Sequence, residues 1–256
     1  MRCVDVRYRP GREAPEDIVG SAGLEPGSCV IYWGTLPLMR QIQLHRAWSP
    51  GGWCTTENLA CSRYYAHFGP HLLNQRYTLM PGGEAIRHRD WLFTSFAHND
   101  QVFVRPDGVQ KLFPGRLVSI DDFLGALAPA RYDRETLVLV AEPRPVGTEW
   151  RIVVAEGRFV AASQYCDGGV RDVRAGCPDS VQSFVEEVLS KVRWRPDPLY
   201  AMDVCESDGS LYVLELNSFS CSGLYSCEPS AVVEAASTVA TRSWEASTKA
   251  GPTRGS

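Results

Sequence analysis

Residues 201–217, Ala-Met-Asp-Val-Cys-Glu-Ser-Asp-Gly-Ser-Leu-Tyr-Val-Leu-Glu-Leu-Asn, constrain the fold most, because two β-type runs around Ser207-Asp208-Gly209 specify a hairpin. The spacing predicts a three-residue loop with glycine at its left-handed position, which pairs Glu206 with Ser210 and sets Asp203 opposite Val213. In that register Asp203, Glu215 and Asn217 share one face, and Tyr212, Leu214 and Leu216 form the apolar face behind it. Three oxygen donors converging on one point suit Mg²⁺. The alternative is a surface hairpin with solvated carboxylates. Glu-Leu-Asn directly after an apolar run favours the site.

With 256 residues, 44% hydrophobic and 22% charged, the chain can bury a substantial core, as one domain with subdomains or two small ones. A net charge of −4 gives no electrostatic footprint for non-specific nucleic-acid binding. No apolar run is long enough to cross a bilayer, and the amino terminus lacks the apolar core of a signal peptide, so a cytoplasmic protein is expected. The nine cysteines show no C-x-x-C spacing, which points to free thiols rather than a zinc site. Cys221 and Cys227 flank a Ser/Gly segment beside the hairpin, and inert buried thiols are expected there in preference to a catalytic one.

Residues 28–33 read as a strand feeding a helix over 36–44. Thr55-Thr56-Glu57 opens a helix through Leu59, Tyr64 and Phe68, and residues 84–96 read as one further helix. Trp33, Trp48, Trp53, Tyr64 and Tyr65 are expected in core packing rather than in a pocket. From Gln101 the texture changes to strands joined by glycine-rich or proline-rich turns: 102–105, 137–141, 150–155 and 158–163, the last two paired across Glu156-Gly157. Ser119 is expected to cap a short helix. An amphipathic helix over 179–192 precedes the hairpin, a helix over 231–244 follows it, and the tail from about residue 248 has a disordered composition.

Several residues in this second part suit phosphate and nucleotide chemistry. Arg105 ends a strand and is followed by a loop with Gly108, Lys111 and Gly115, where fixed cations sit beside backbone open to close approach. It is not a Walker A loop. Glu142 follows a buried-looking strand and Glu149 lies seven residues on, an arrangement in which a backbone edge meets a flat base and a carboxylate accepts from ribose hydroxyls. Arg151 alternates with Glu149 on one strand face, and Arg171 and Arg174 follow a Gly-Gly turn.

In this order, the cationic strand with its glycine loop, the strand ending in Glu142 with Glu149 after it, and Asp203, Glu215 and Asn217 resemble the ATP-grasp superfamily over about residues 85–245. The chain is most similar to the small phage and bacterial members of the clade called R2K. The resemblance implies an α+β fold with two α+β subdomains sandwiching ATP over residues 85–247, preceded by a small α/β unit over 1–84. It also implies ATP and Mg²⁺ as cofactors, with Asp203, Glu215 and Asn217 as metal ligands. Arg105, in an Arg-Pro pair where many relatives have Lys-Pro, and Lys111 then bind phosphates; Glu142 contacts adenine and Glu149 the ribose. Arg151 resembles an arginine used on the γ-phosphate or acyl phosphate, whereas Ala201 stands where some members carry another arginine. Arg171, Arg174, Ser220 and Ser222 are the expected substrate contacts. The implied activity is carboxylate–amine ligation of small-molecule or peptide substrates through an acyl phosphate. Another ATP-dependent transferase on the same fold and a non-catalytic nucleotide-binding module are the alternatives.

Overall fold

The computed structural model describes residues 23–249 apart from 26, 47, 111 and 128–132, so the expectation for Lys111 and the tail beyond Lys249 lie outside the described residues. Among the described residues the strands form three sheets. A small parallel pair joins β1 (Cys29–Ile31) to β2 (Ser49–Gly51), with α1 (Leu36–His45) between them. A four-stranded antiparallel sheet follows, in the order β3 (Tyr77–Pro81), β6 (Leu137–Ala141), β4 (Gln101–Pro106), β5 (Arg116–Ser119). The third is a five-stranded antiparallel sheet in the order β11 (Ser210–Ser218), β10 (Leu199–Ser207), β7 (Thr148–Ala155), β8 (Arg158–Asp167), β9 (Val170–Ala175).

Strand alternation decides what each face meets. Val102, Val104, Val138 and Val140 point to one side of the four-stranded sheet, where they pack with Ala85, Leu92 and Phe123 from α3 (Gly82–Arg87), α4 (Arg89–Phe96) and α5 (Phe123–Ala126). Leu139 and Ala141 point the other way into the largest core, which they share with Ile152, Met202 and Val204 of the five-stranded sheet. α2 (Cys61–Phe68) and α6 (Asp179–Lys191) supply Tyr64, Tyr65, Val181, Val185 and Val188 to that core. The opposite face of the five-stranded sheet, with Val153, Ala155 and Leu199, is covered by Val232, Ala236 and Val239 of α7 (Pro229–Lys249). Each such fully buried valine or leucine contributes about 1.5–3 kcal/mol by leaving water. The result is the two-subdomain α+β architecture expected from the sequence, with the seam between the sheets available for a site.

Local differences from the sequence reading have identifiable causes. The helix expected over 84–96 breaks into α3 and α4 at His88, whose ψ of 21° leaves the helical range. Residues 55–59 do not begin α2, because Thr55 is engaged elsewhere: its backbone N and Oγ1 donate to Asp197 Oδ2 and Oδ1 at 3.0 and 2.6 Å. Ser119 ends β5, and its hydroxyl bonds Asp122 Oδ2 at 2.7 Å instead of capping α5. β2, β3, β5 and β9 are strands the sequence reading lacks, and β3 places residues before 84 in the four-stranded sheet. α7 runs on to Lys249, past the start of the expected tail. Trp53, Tyr64 and Tyr65 are buried as expected, whereas Trp33 is exposed.

The Thr55–Asp197 contact fastens the amino-terminal region to the segment entering β10. Burial pushes the Asp197 carboxyl up, and the Thr55 bonds pull it back towards the ionised form. Thr55→Val is therefore expected to cost about 1.5–3 kcal/mol by urea unfolding at neutral pH. Because the lost bond favours the charged form, the cost should shrink once acid protonates Asp197.

Candidate functional site

The hairpin of β10 and β11 turns through Asp208-Gly209, both at positive φ (51° and 73°), so the loop has two residues and Ser207 pairs with Ser210. This corrects the expected three-residue loop. The expected pairing of Asp203 with Val213 is also replaced: a bulge after Val213 leaves Leu214 unpaired, so Val204 faces Val213 and Asp203 faces Glu215. The bulge reverses the parity of the strand. Val213 and Leu216 enter the core, while Tyr212 and Leu214 are half-buried and do not form the expected single apolar face. Asp203, Glu215 and Asn217 still share a face, now as close cross-strand neighbours.

On the other side of β10, Arg151 of β7 lies directly opposite Asp203, which gives a row of Arg151, Asp203 and Glu215 across three strands. Arg151 grips Asp203 with two bonds, Nε to Oδ1 at 2.6 Å and Nη2 to Oδ2 at 2.8 Å, and Nη1 donates to the Gly223 carbonyl at 2.8 Å. Burial opposes the charge on Arg151, and the Asp203 carboxylate overrides it, so the guanidinium is held above its ordinary range. Arg105 reaches across from β4 of the other sheet, and its Nη2 meets Glu215 Oε2 at 3.1 Å. Asn217 Nδ2 donates to Asp203 Oδ2 and to Glu215 Oε1, each at 3.0 Å. Two carboxylates would repel at this distance. Here each has its own arginine and the amide bridges them, so the group is balanced in charge.

The donor set fits Mg²⁺. Asp203 and Glu215 offer hard anionic oxygens, and Asn217 offers its carboxamide oxygen after a half-turn of the amide. No group of three or more His, Cys, Asp or Glu side chains that could hold a metal occurs among the described residues, so a cation here depends on Asn217 as well as the carboxylates.

The other expected contacts divide clearly. The 142–147 connection between the two sheets and the hairpin tip border a cleft of about 550 Å³ lined by Gln101, Leu117, Glu142, Pro143, Arg144 and Asp208. Glu142 pairs with Arg76 at 2.8 Å at its edge, and Arg144 ties the connection to the hairpin through Asp208 at 3.2 Å. Glu149 accepts from the Tyr165 hydroxyl at 2.5 Å. Burial, with Asp203 and Glu149 nearby, pushes the Tyr165 phenol far up, so it remains a donor. Arg171 lies 6.0 Å from the Tyr225 ring. Arg174 is exposed on β9 and is held by Asp172 at 2.6 Å. Ser220 is fully buried: its Oγ accepts from Trp53 N at 2.9 Å, so it fastens the amino-terminal region instead of facing solvent. The carbonyl of Ser222 accepts from Trp33 Nε1 at 2.9 Å.

Two aromatic residues were missed by sequence reasoning. Tyr165 is the extra residue of a bulge in β8, beyond the point where the expected strand ended. Tyr225 follows the hairpin at a left-handed φ of 51° and stacks on Tyr165 at 4.9 Å and 9°. Arg151 stands 5.3 Å from the Tyr225 ring and 5.8 Å from that of Tyr165. No local sequence signal marks either residue. The bulge and the left-handed turn become visible only in the fold.

Residues 83–235 match the family described as ATP-grasp domain, R2K clade family 2. No curated protein matches the chain. Among solved structures, D-cycloserine synthetase DcsG is similar at 17% identity over 72% of this chain and 70% of that one, with a TM-score of 0.52. The D-alanine–D-alanine ligase from Bacillus anthracis is similar at 13% identity over 84% and 77%, with a TM-score of 0.51. The ATP-grasp ligase PsnB, complexed with minimal precursor, Mg and ADP, gives 18% identity over 73% and 60%, with a TM-score of 0.47. The chain spans between about half and three fifths of the PsnB structures it matches. With the family match covering more than half of its length and the same fold in the solved structures, this chain belongs to the ATP-grasp family, in R2K clade family 2.

Proposed function

We propose that the chain is an ATP- and Mg²⁺-dependent carboxylate–amine ligase. The observation that carries this reading is the convergence of Asp203, Glu215 and Asn217 from one sheet with Arg105 from the other. The ligase and synthetase names of DcsG and the Bacillus anthracis enzyme support the reaction class. In this reading residues 85–247 are the nucleotide-binding part, and residues 1–84 shape the choice of substrate.

Asp203, Glu215 and Asn217 hold Mg²⁺, which supplies charge neutralisation for the triphosphate. Arg105, and Lys111 with it, take phosphate oxygens; Arg105 can exchange Glu215 for phosphate without leaving its strand. The cleft at Glu142 receives the base against the backbone of the connection, and Glu149 accepts from the ribose. Arg151 is a positioning residue, since three of its five N–H donors are engaged by Asp203 and Gly223 and it holds Asp203 in place. A carboxylate oxygen of the donor attacks the γ-phosphorus, giving an acyl phosphate and ADP. The amine nitrogen then attacks the acyl carbon, phosphate leaves and the nitrogen loses its proton. Arg171 and the segment bearing Ser222 and Tyr225 form the substrate side, and closure of the two sheets over the site excludes water.

The test is ADP and phosphate release measured against panels of acids and amines. Release of both that requires an acid and an amine supports ligation, ADP release with one small-molecule acceptor and no free phosphate points to a phosphotransferase, and binding without turnover points to a non-catalytic module. Tyr225→Ala removes the exposed half of the Tyr165 stack. It is expected to raise the KM for the acid or amine by about tenfold, with nucleotide affinity unchanged, as the loss of one aromatic contact implies.

A further inference from the structure

Cys54 lies just beyond β2 and Cys221 lies four residues past Asn217, and both pack with Tyr32, Leu38, Met39 and Ile42 in one cluster. The backbone beside them fixes their approach. Ser220 N donates to the Trp53 carbonyl at 3.3 Å, Trp53 N donates to Ser220 Oγ at 2.9 Å, and Gly34 N donates to the Ser220 carbonyl at 2.8 Å. Gly52 permits that approach, because a Cβ there would meet Ser220 Oγ at 2.6 Å and Met39 Sδ at 2.8 Å. Ser218 Oγ accepts from Cys221 N at 2.9 Å, which fixes the backbone of Cys221 beside the cluster that holds Cys54. Cys54 is buried and Cys221 is half-buried, so solvent reaches the pair through Cys221.

We propose that Cys54 and Cys221 form a thiol–disulfide exchange site, which a small disulfide of the glutathione class oxidises to an internal disulfide tying the amino-terminal region to the segment after Asn217. Cys221, the half-buried thiol, passes its proton to the Cys54 thiolate as its sulfur attacks one sulfur of glutathione disulfide; the S–S bond breaks and one glutathione leaves as thiolate. The Cys54 thiolate then attacks the Cys221 sulfur, and the second glutathione leaves. Two thiols have become one disulfide, and the two electrons and two protons end on two glutathione molecules. The Cys221 thiol, working against burial, holds the reduced Cys54 thiol below its ordinary value while Cys221 itself is pushed up, so Cys54 is the thiolate that takes the Cys221 proton in the first step and releases it to solvent before the second. The disulfide shortens the accessible chain in the unfolded state across a long loop, so it stabilises the fold.

The full chain is incubated with glutathione disulfide, alkylated, digested and mapped, and its thermal midpoint is followed. A Cys54–Cys221 linked peptide, lost on treatment with dithiothreitol, is expected as the main internal disulfide, with a thermal midpoint several degrees higher. In Cys54→Ser, Cys221 should retain glutathione as a mixed disulfide and the midpoint should not rise. Wild-type protein that carries only mixed disulfides, links other cysteines, or leaves Cys221 free to alkylation overturns the proposal. No readout depends on turnover, so the result stands apart from the ligase reading.

Discussion

Asp203→Ala is expected to cost about 3–5 kcal/mol of folding stability, among the largest effects of any single side chain in this molecule. Asp203 has 1% relative exposure and accepts two bonds from Arg151, itself 6% exposed. Removing the carboxylate leaves a buried guanidinium without its counter-charge, still bonded to the Gly223 carbonyl and set against the Tyr165 and Tyr225 rings. At about 2–4 °C per kcal/mol for a domain of this size, the thermal midpoint should fall by roughly 10 °C. Replacing both partners, Asp203→Leu with Arg151→Met, should recover most of that loss, because neither half of the pair is then left buried without its partner. A midpoint for Asp203→Ala close to wild type, or a double variant as unstable as the single one, would contradict the buried pair.

Glu215→Gln separates chemistry from stability. Its amide keeps one oxygen for Arg105 and presents an N–H to Asn217, whose own amide can turn its oxygen to accept, so the strands stay together and the thermal midpoint should move by only a few degrees. The charge is lost, however, and with it one of the two anionic oxygens offered to Mg²⁺. ATP-dependent turnover is expected to fall by about 10²–10³-fold, the range for removing one preorganised electrostatic group. Turnover within a fewfold of wild type in a stopped assay of ADP release would show that Glu215 takes no part in the site.

The helix of residues 179–191 was legible because Val181, Val185 and Val188 repeat at helical spacing, and the β7–β8 hairpin because Glu156-Gly157 divides two apolar runs. The hairpin bearing Asp203 and Glu215 was legible as a hairpin but not in register. One unpaired residue, Leu214, reverses which side chains face the core, and alternation alone cannot place a bulge. Asp203, Glu215 and Asn217 nevertheless come together, because the shifted turn and the bulge offset each other on the side of the site. Arg151 and Ser220 illustrate the limit in another way. Their chemistry suits phosphate and substrate, and each also makes structural bonds that the sequence does not show, to Asp203, Gly223 and Trp53, partners up to 167 residues away in sequence. Arg105 shows the converse: its reach to Glu215 crosses 110 residues and two sheets, and it was found from its place at the end of a strand before a glycine-bearing loop. Tyr165 and Tyr225 were hidden because a bulge and a left-handed backbone position aim them, and neither has a composition signal.

Binding of a non-hydrolysable ATP analogue, titrated calorimetrically with Mg²⁺ and again with a chelator, tests most directly whether Asp203, Glu215 and Asn217 form a metal–nucleotide site. Saturable binding that weakens by about tenfold or more when Mg²⁺ is removed, and weakens alike in Glu215→Gln, is the expected result. Binding that is indifferent to both Mg²⁺ and Glu215, or absent at millimolar analogue, would contradict the account.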